Sequence, residues 1–172
     1  MINKQLVICE PCAGEGAIIK AVNIELPNAL IFSNDLVPDK SYPVLNHLDA
    51  TKIASYNQMK RESNIEKIDW VITNPPFEHA FEILKASYNS VEIGVALLLR
   101  LTFLEPTKSR GEWLTEHPPT SLYILGSPRP SFTNNGSTDS TTCAWMVWLK
   151  NPSYAHTNTN GIHMLTNDSK KW

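Results

Sequence analysis

Blocks of apolar residues at strand spacing alternate along this chain with blocks at helical spacing. Leu6-Val7-Ile8-Cys9 is a short apolar strand that ends at Glu10-Pro11 and gives way to a glycine-bearing turn. Ile18, Ala21 and Val22 then recur at helical spacing, and Pro27 ends that helix. Ala29 to Ser33 reads as a second strand and Val44 to His47 as a weak third, with a polar helix filling part of Thr51 to Ser63. Trp70 to Thr73 is a fourth strand, and Phe81, Leu84 and Tyr88 fall on one face of the helix behind it. The nearly unbroken apolar run Val91 to Leu99 is what a central strand buried on both faces requires.

Beyond this run the pattern loosens. Arg100 to Gly111 reads as a loop, Glu112 to Glu116 as a short helix stopped by Pro118-Pro119, and Ser121 to Leu125 and Ala144 to Leu149 as the last two strands. Gly126 to Thr142, rich in Ser, Thr, Asn, Gly and Pro, is long for a connection inside a domain, and such loops usually carry function. The polar tail after Asn151 reads as partly mobile. Repeated β-α-β units predict an α/β domain over residues 1–150, a mostly parallel sheet with helices on both faces, followed by the tail over 151–172. Its ligand crevice is expected at the carboxyl ends of the strands.

Composition narrows the setting. The 172 residues suffice for a hydrophobic core without disulfide or metal staples, and 42% hydrophobic with 19% charged residues is the content of a soluble globular protein. The net charge of −2 gives no bulk basic footprint, so any polynucleotide contact must come from a local cluster. Val91 to Leu99 is too short to span a bilayer, and no signal-peptide layout precedes the first strand. An odd set of cysteines, Cys9, Cys12 and Cys143, fits a reducing compartment, so the expected location is cytoplasmic.

The most informative chemistry is Asn74-Pro75-Pro76-Phe77, directly after the fourth strand. The amide oxygen of Asn74 and the carbonyl of Pro75 are two acceptors, and the paired prolines fix the backbone that aims them. Phe77 offers a flat apolar face on which a ring can stack. Together they suit gripping an sp² amino group. Glu10-Pro11-Cys12-Ala13-Gly14-Glu15-Gly16 supplies a turn after the first strand in which Gly14 and Gly16 let backbone approach a ligand, although a tight βα connection has the same look. A full G-x-G-x-x-G is absent because position 19 is Ile, which argues against a nicotinamide or flavin enzyme. Asp35 can accept both hydroxyls of a ribose or form a turn with Asn34. Asp49 can accept from an adenine amino group or cap the helix that follows. Cys9-x-x-Cys12 has redox or zinc spacing, but no second ligand pair completes a metal site. His79 reads as an exposed helix residue rather than a general base, and Trp145 and Trp148 as core residues on the two faces of the last strand.

The order of glycine turn, acid, acid and tetrad, each after a successive strand, resembles the Rossmann-like class I S-adenosylmethionine-dependent amino-methyltransferases. The resemblance covers roughly the first hundred residues well. It implies a seven-stranded sheet whose seventh strand runs antiparallel between the fifth and sixth, and S-adenosyl-L-methionine as cofactor. It implies that Glu10, Pro11, Gly14 and Gly16 hold the methionine part, Asp35 the ribose with Leu36 beside the adenine, and Asp49 with Ala50 the adenine edge. Asn74, Pro75, Pro76 and Phe77 are then the catalytic motif that binds the target nitrogen, Asn74 also lying beside the cofactor. Arg129-Pro130-Ser131-Phe132, Thr138-Asp139-Ser140 and Ala144-Trp145 are similar to small phage-type DNA N6-adenine methyltransferases.

That likeness makes N6 of adenine in DNA the expected target, with Arg100, Lys108, Arg110 and Arg129 as candidate phosphate contacts. Many relatives carry a segment before the first strand that closes over the cofactor and a separate target-recognition domain. Neither is expected here, so a tail, a second copy or a partner subunit would have to supply them. The rival readings are methylation of an RNA base, of cytosine or of a protein glutamine amide, a non-catalytic partner subunit, and a nucleotide-binding redox module using Cys9 and Cys12.

Overall fold

The computed structural model of the chain describes residues 5–37, 42–126, 141–150 and 161–165. In chain order these form β1 (Val7–Glu10), α1 (Ala17–Glu25), β2 (Leu30–Ser33), α2 (Ile53–Glu62), β3 (Ile68–Thr73), α3 (Ala80–Ser90), β4 (Val91–Arg100), α4 (Lys108–Glu116), β5 (Ser121–Leu125), β6 (Cys143–Leu149) and β7 (Gly161–Leu165). Single 3₁₀ turns, Phe77–His79 and Leu101–Leu104, follow β3 and β4.

The strands make one sheet in the order β2-β1-β3-β4-β6-β5-β7. β6 is antiparallel to β4 and β5, and the remaining pairs are parallel. The expected antiparallel strand between the fifth and sixth is therefore present as β6. Central β4 buries Val95, Leu97 and Leu99 on one face and carries Gly94, Ala96 and Leu98 on the other, which accounts for its unbroken apolar sequence.

The two faces are covered unequally. Cys9, Val71, Val95, Leu97, Met146 and Trp148 pack against Tyr56 and Met59 of α2, Ala80 and Leu84 of α3, and Trp113 and Leu114 of α4. On the opposite face Leu26, at the end of α1, shares a cleft with Ile8, Trp70, Ile72, Ala96 and Val147. Within α1 the buried stripe is Ile19 flanked by Ile18 and Val22, and Ala21 points to solvent.

Two sequence expectations need correction. Val44 to His47 is not a strand: the segment touches the sheet through one parallel bridge, Asn34 to Asn46. Its pattern is inverted for that role, since Leu45 is 70% exposed while Asn46 is buried. Arg100 to Gly111 is not all loop, because β4 extends through Arg100, a 3₁₀ turn follows, and α4 begins at Lys108. The tail contributes β7, which pairs with β5 in register Leu122 to Ile162 and stacks His163 on Tyr123 at 4.7 Å. The sheet thus reaches seven strands with an edge strand from the tail where the expected third strand is lacking.

One side chain substitutes for that third strand. Asn34, fully buried at the end of β2, donates to the carbonyls of Pro11 and Leu48, both at 2.9 Å, and accepts from the Leu48 amide at 2.7 Å. It joins the turn after β1 to the segment carrying Asp49. Asn34→Ala should cost roughly 2–4 kcal/mol, because three buried bonds are lost and their backbone partners are orphaned. Urea unfolding with an unchanged slope and a lower midpoint would register this loss.

Candidate functional site

β1 has β2 on one side and β3 on the other, so the chain order reverses beside it and a crevice opens at the carboxyl ends of β1 and β3. Glu10 ends β1 and Asn74 follows β3, which brings the two halves of the candidate machinery to this opening.

Glu10 is fully buried. Its Oε1 accepts from the Cys12 amide at 3.3 Å, and its Oε2 has no hydrogen-bond partner. Burial pushes its pKa well above the usual carboxylate value, and the charge of Asp35 adds to the rise. The Thr73 hydroxyl opposes it, although Thr73 Oγ1 makes no hydrogen bond of ordinary geometry. A buried acceptor left unpaired at the mouth of a glycine turn fits a cationic ligand group.

The turn itself needs its glycines. Gly14 and Gly16 have φ of +48° and +73°. The space where a Cβ of Gly14 would lie is open, whereas that of Gly16 is filled by the Tyr42 ring. Asp35 braces the turn: its carboxylate accepts from the Gly14 amide at 2.8 Å and from the Val37 amide at 2.9 Å.

Pro11, Asp35, Leu36, Asp49, Ala50 and Pro76 line one cleft of about 100 Å³, joined by Cys12, Leu48, Thr51, His79 and Ile83. Asp49 Oδ1 accepts from the Thr51 amide at 2.9 Å and hydroxyl at 2.6 Å, and these bonds hold its pKa below the usual value. One oxygen therefore shapes the turn before α2, and no described residue bonds the other. A wider cleft of about 710 Å³ at the opposite ends of the strands is lined by Gln5, Leu6 and Glu25 to Ala29, and holds none of the candidate residues.

In the tetrad, Asn74, Pro76 and Phe77 are exposed and Pro75 is buried. The Pro76 carbonyl accepts from the His79 amide at 3.0 Å. Neither the Asn74 amide nor the Pro75 carbonyl is bonded among the described residues, so both acceptors remain available. The Arg100 guanidinium lies over the Phe77 ring, 4.4 Å from its centroid.

The basic residues separate. Lys108 is exposed at the start of α4, and Arg110 donates to the Glu105 carbonyl at 2.6 and 3.2 Å. Arg129 lies outside the described residues, as does most of the loop Gly126 to Thr142. His79 is exposed, in the 3₁₀ turn rather than in α3, 3.7 Å from Glu78. Trp148 is buried and Trp145 half-buried, on opposite faces of β6. Burial pushes the Cys12 thiol up to about 12 and Cys9 well above its usual value, which suppresses the thiolates a redox pair would need. Among the described residues no helix is long and apolar enough to cross a membrane.

Asn34, Tyr42 and Ile83 escaped the sequence reading. Asn34 looks like half of a turn-forming Asn-Asp pair, and nothing local marks Tyr42 as the ring that meets Gly16. Ile83 was legible as a neighbour of Leu84 on α3, but not as cleft lining.

No family model and no curated protein matches the chain. Solved structures do match its fold. A protein from Listeria monocytogenes described as a class I S-adenosylmethionine-dependent methyltransferase aligns with TM-score 0.57 and 12% identity over 96% of this chain and 59% of its own. The M protein of the type I restriction enzyme EcoKI aligns with TM-score 0.56 and 14% identity, covering 95% of this chain and 44% of that one. A predicted O-methyltransferase from Agrobacterium tumefaciens gives TM-score 0.54 and 16% identity over 97% and 81%. The chain thus spans well under two thirds of the first two. Its fold is the class I methyltransferase-like Rossmann fold.

Glu10 should store a measurable stability cost. A carboxyl whose folded pKa is raised destabilises the fold as pH climbs above the unfolded value near 4.5, and the penalty grows until pH passes the folded value. Glu10→Gln should therefore melt several degrees above the parent at pH 8, with the gap closing toward pH 4.5, in paired thermal scans.

Proposed function

We propose that the chain is an S-adenosyl-L-methionine-dependent N-methyltransferase acting on an exocyclic amino nitrogen, with N6 of adenine in DNA as the favoured target. The observation that carries this reading is convergence: Pro76 of the tetrad lines the same cleft as Asp35 and Asp49, and the orphaned Glu10 oxygen lies at the same strand ends. The cofactor, when bound, would supply a methyl group whose bond to the sulfonium sulfur breaks as the bond to nitrogen forms, the sulfur leaving as a neutral thioether.

On this reading Glu10 Oε2 accepts from the cofactor's ammonium, the Gly14 turn admits the methionine backbone, and the free oxygen of Asp49 accepts from the adenine edge. Asp35 offers the remaining lone pairs of a carboxylate already fixed by two backbone amides, so the ribose meets an acceptor that needs no reorganisation. Asn74 Oδ1 and the Pro75 carbonyl accept the two hydrogens of the target amine. Those bonds favour a more tetrahedral nitrogen with its lone pair available for in-line attack. Positioning by stiff backbone is then the main contribution of the protein. After the bond to carbon forms, the nitrogen sheds a proton toward solvent, for which exposed Asn74 leaves a path. DNA is favoured over other carriers of planar amines because a structural neighbour is a restriction-enzyme M protein.

Asn74→Ala should abolish methyl transfer, a loss of at least about a hundredfold, while cofactor affinity changes little. Incubation with radiolabelled cofactor and DNA tests the first, and calorimetry the second. Wild-type-like turnover in the variant would remove the tetrad from the chemistry. Asp35→Ala should weaken cofactor binding about tenfold or more, through lost ribose acceptors and a loosened Gly14 turn. Unchanged calorimetric affinity would take Asp35 out of the site.

A further inference from the structure

We propose that Arg100 is a latch on the target-ring position: its guanidinium covers Phe77 in the free protein, and yields that face to the incoming ring while moving onto an adjacent phosphate. The inference rests on the amino-methyltransferase reading and deepens it, because it makes the substrate a phosphate-bearing nucleic acid rather than a neutral glutamine amide.

Arg100 is the last residue of β4, and β4 pairs with β3 through Thr73 and Leu97, so it reaches Phe77 across the strand ends that frame the crevice. The covered face is thus the one turned toward β4. At 4.4 Å from guanidinium carbon to ring centroid no third plane fits between them, since two stacked contacts would need about 7 Å. A ring stacking on that face must displace Arg100.

The contact is also of a kind that exchanges. Both partners are exposed, Phe77 by 44%, where a cation–π contact is weak. Arg100 has no carboxylate or carbonyl partner among the described residues, whereas nearby Arg110 is tied to the Glu105 carbonyl. Among the described residues no acceptor engages the Arg100 donor fork, and a phosphodiester beside the extruded base is the group that matches this fork. Displacement then carries little net cost on a charged strand and a real one on an uncharged ligand.

The test uses two ligands with the same rings and different charge: a single-stranded trinucleotide with a central adenine, and its uncharged methylphosphonate analogue. Dissociation constants are measured by anisotropy on the full chain with S-adenosylhomocysteine present. Arg100→Ala should weaken the charged ligand about threefold to fivefold, as an exposed ion pair is lost. The same variant should tighten the uncharged analogue about twofold to fivefold, as competition for Phe77 ends. Arg100→Lys, which keeps the charge but not the fork, should recover only part of the affinity for the charged ligand. A weaker charged ligand with an unchanged analogue would reduce Arg100 to a plain phosphate contact and overturn the latch. Equal weakening of both, or no change in either, would overturn it as well. Failure of the wild-type chain to bind either ligand also overturns it, while leaving the reaction class to the Asn74→Ala experiment.

Discussion

The site depends on the three hydrogen bonds of the Asn34 side chain. In a parallel sheet each successive strand delivers its own loop to the crevice, and the ladder fixes where that loop starts. Here the segment that brings in Asp49 has no ladder, only the bridge from Asn34 to Asn46. Asn34 supplies the missing constraint by tying Leu48 at both its amide and its carbonyl, and the same side chain holds Pro11. Backbone bonds from Ala13 to the Asn34 carbonyl and from Asn34 to the Glu10 carbonyl, at 3.0 and 2.9 Å, complete the joint. The glycine turn and the Asp49 turn are thereby set against one buried amide, and any shift of one is felt by the other.

Around this joint the protein keeps an arrangement that folding alone would not select. A buried carboxyl with one unpaired oxygen raises the free energy of the empty state, and burial keeps it protonated to higher pH than water would. The cost makes sense if a cationic group completes the site, because the gain on binding then includes relief of that desolvation. Asp35 and Asp49 are treated differently. Each is already held by local amides, so they contribute geometry with little stored strain. Of the cysteines beside Glu10, Cys9 is buried and Cys12 half-buried, and desolvation raises the pKa of both thiols.

How much of this could be read from the chain follows from how local each signal is. The run from Val91 to Leu99 has to be a central strand, because few other elements tolerate so continuous an apolar sequence, and it is β4. The tetrad's proposed role as two aimed acceptors is read from two prolines and an amide, and among the described residues both acceptors are unbonded. Asp49 does not cap α2, which begins after Lys52 without a side-chain cap; one of its oxygens forms the Thr51 turn, and the other is unbonded among the described residues. Val44 to His47 failed as a strand because a short apolar pair says nothing about which side chain turns inward, and tertiary contacts chose Asn46. The strand Gly161–Leu165 was hidden in polar surroundings, since its support, the pairing with β5 and the stack of His163 on Tyr123, lies forty residues away along the chain. Asn34 was invisible for the same reason: its partners are set by topology, not by its neighbours.

The crevice that results is electrically divided. Glu10, Asp35 and Asp49 come from β1, from the end of β2 and from the segment before α2, all on one side of the tetrad. Arg100 comes from β4 on the other side, where its guanidinium lies over the Phe77 ring and meets no counter-ion among the described residues. A sulfonium cofactor is cationic, and on the proposed reading the substrate strand is anionic, so the two would be sorted by charge before any specific contact forms. Between the two halves stand an amide, two prolines and an aromatic ring that carries the Arg100 guanidinium on one face. On the proposed reading the net charge of −2 is no obstacle to a nucleic-acid substrate, because the acids would face a cation and Arg100 a phosphate.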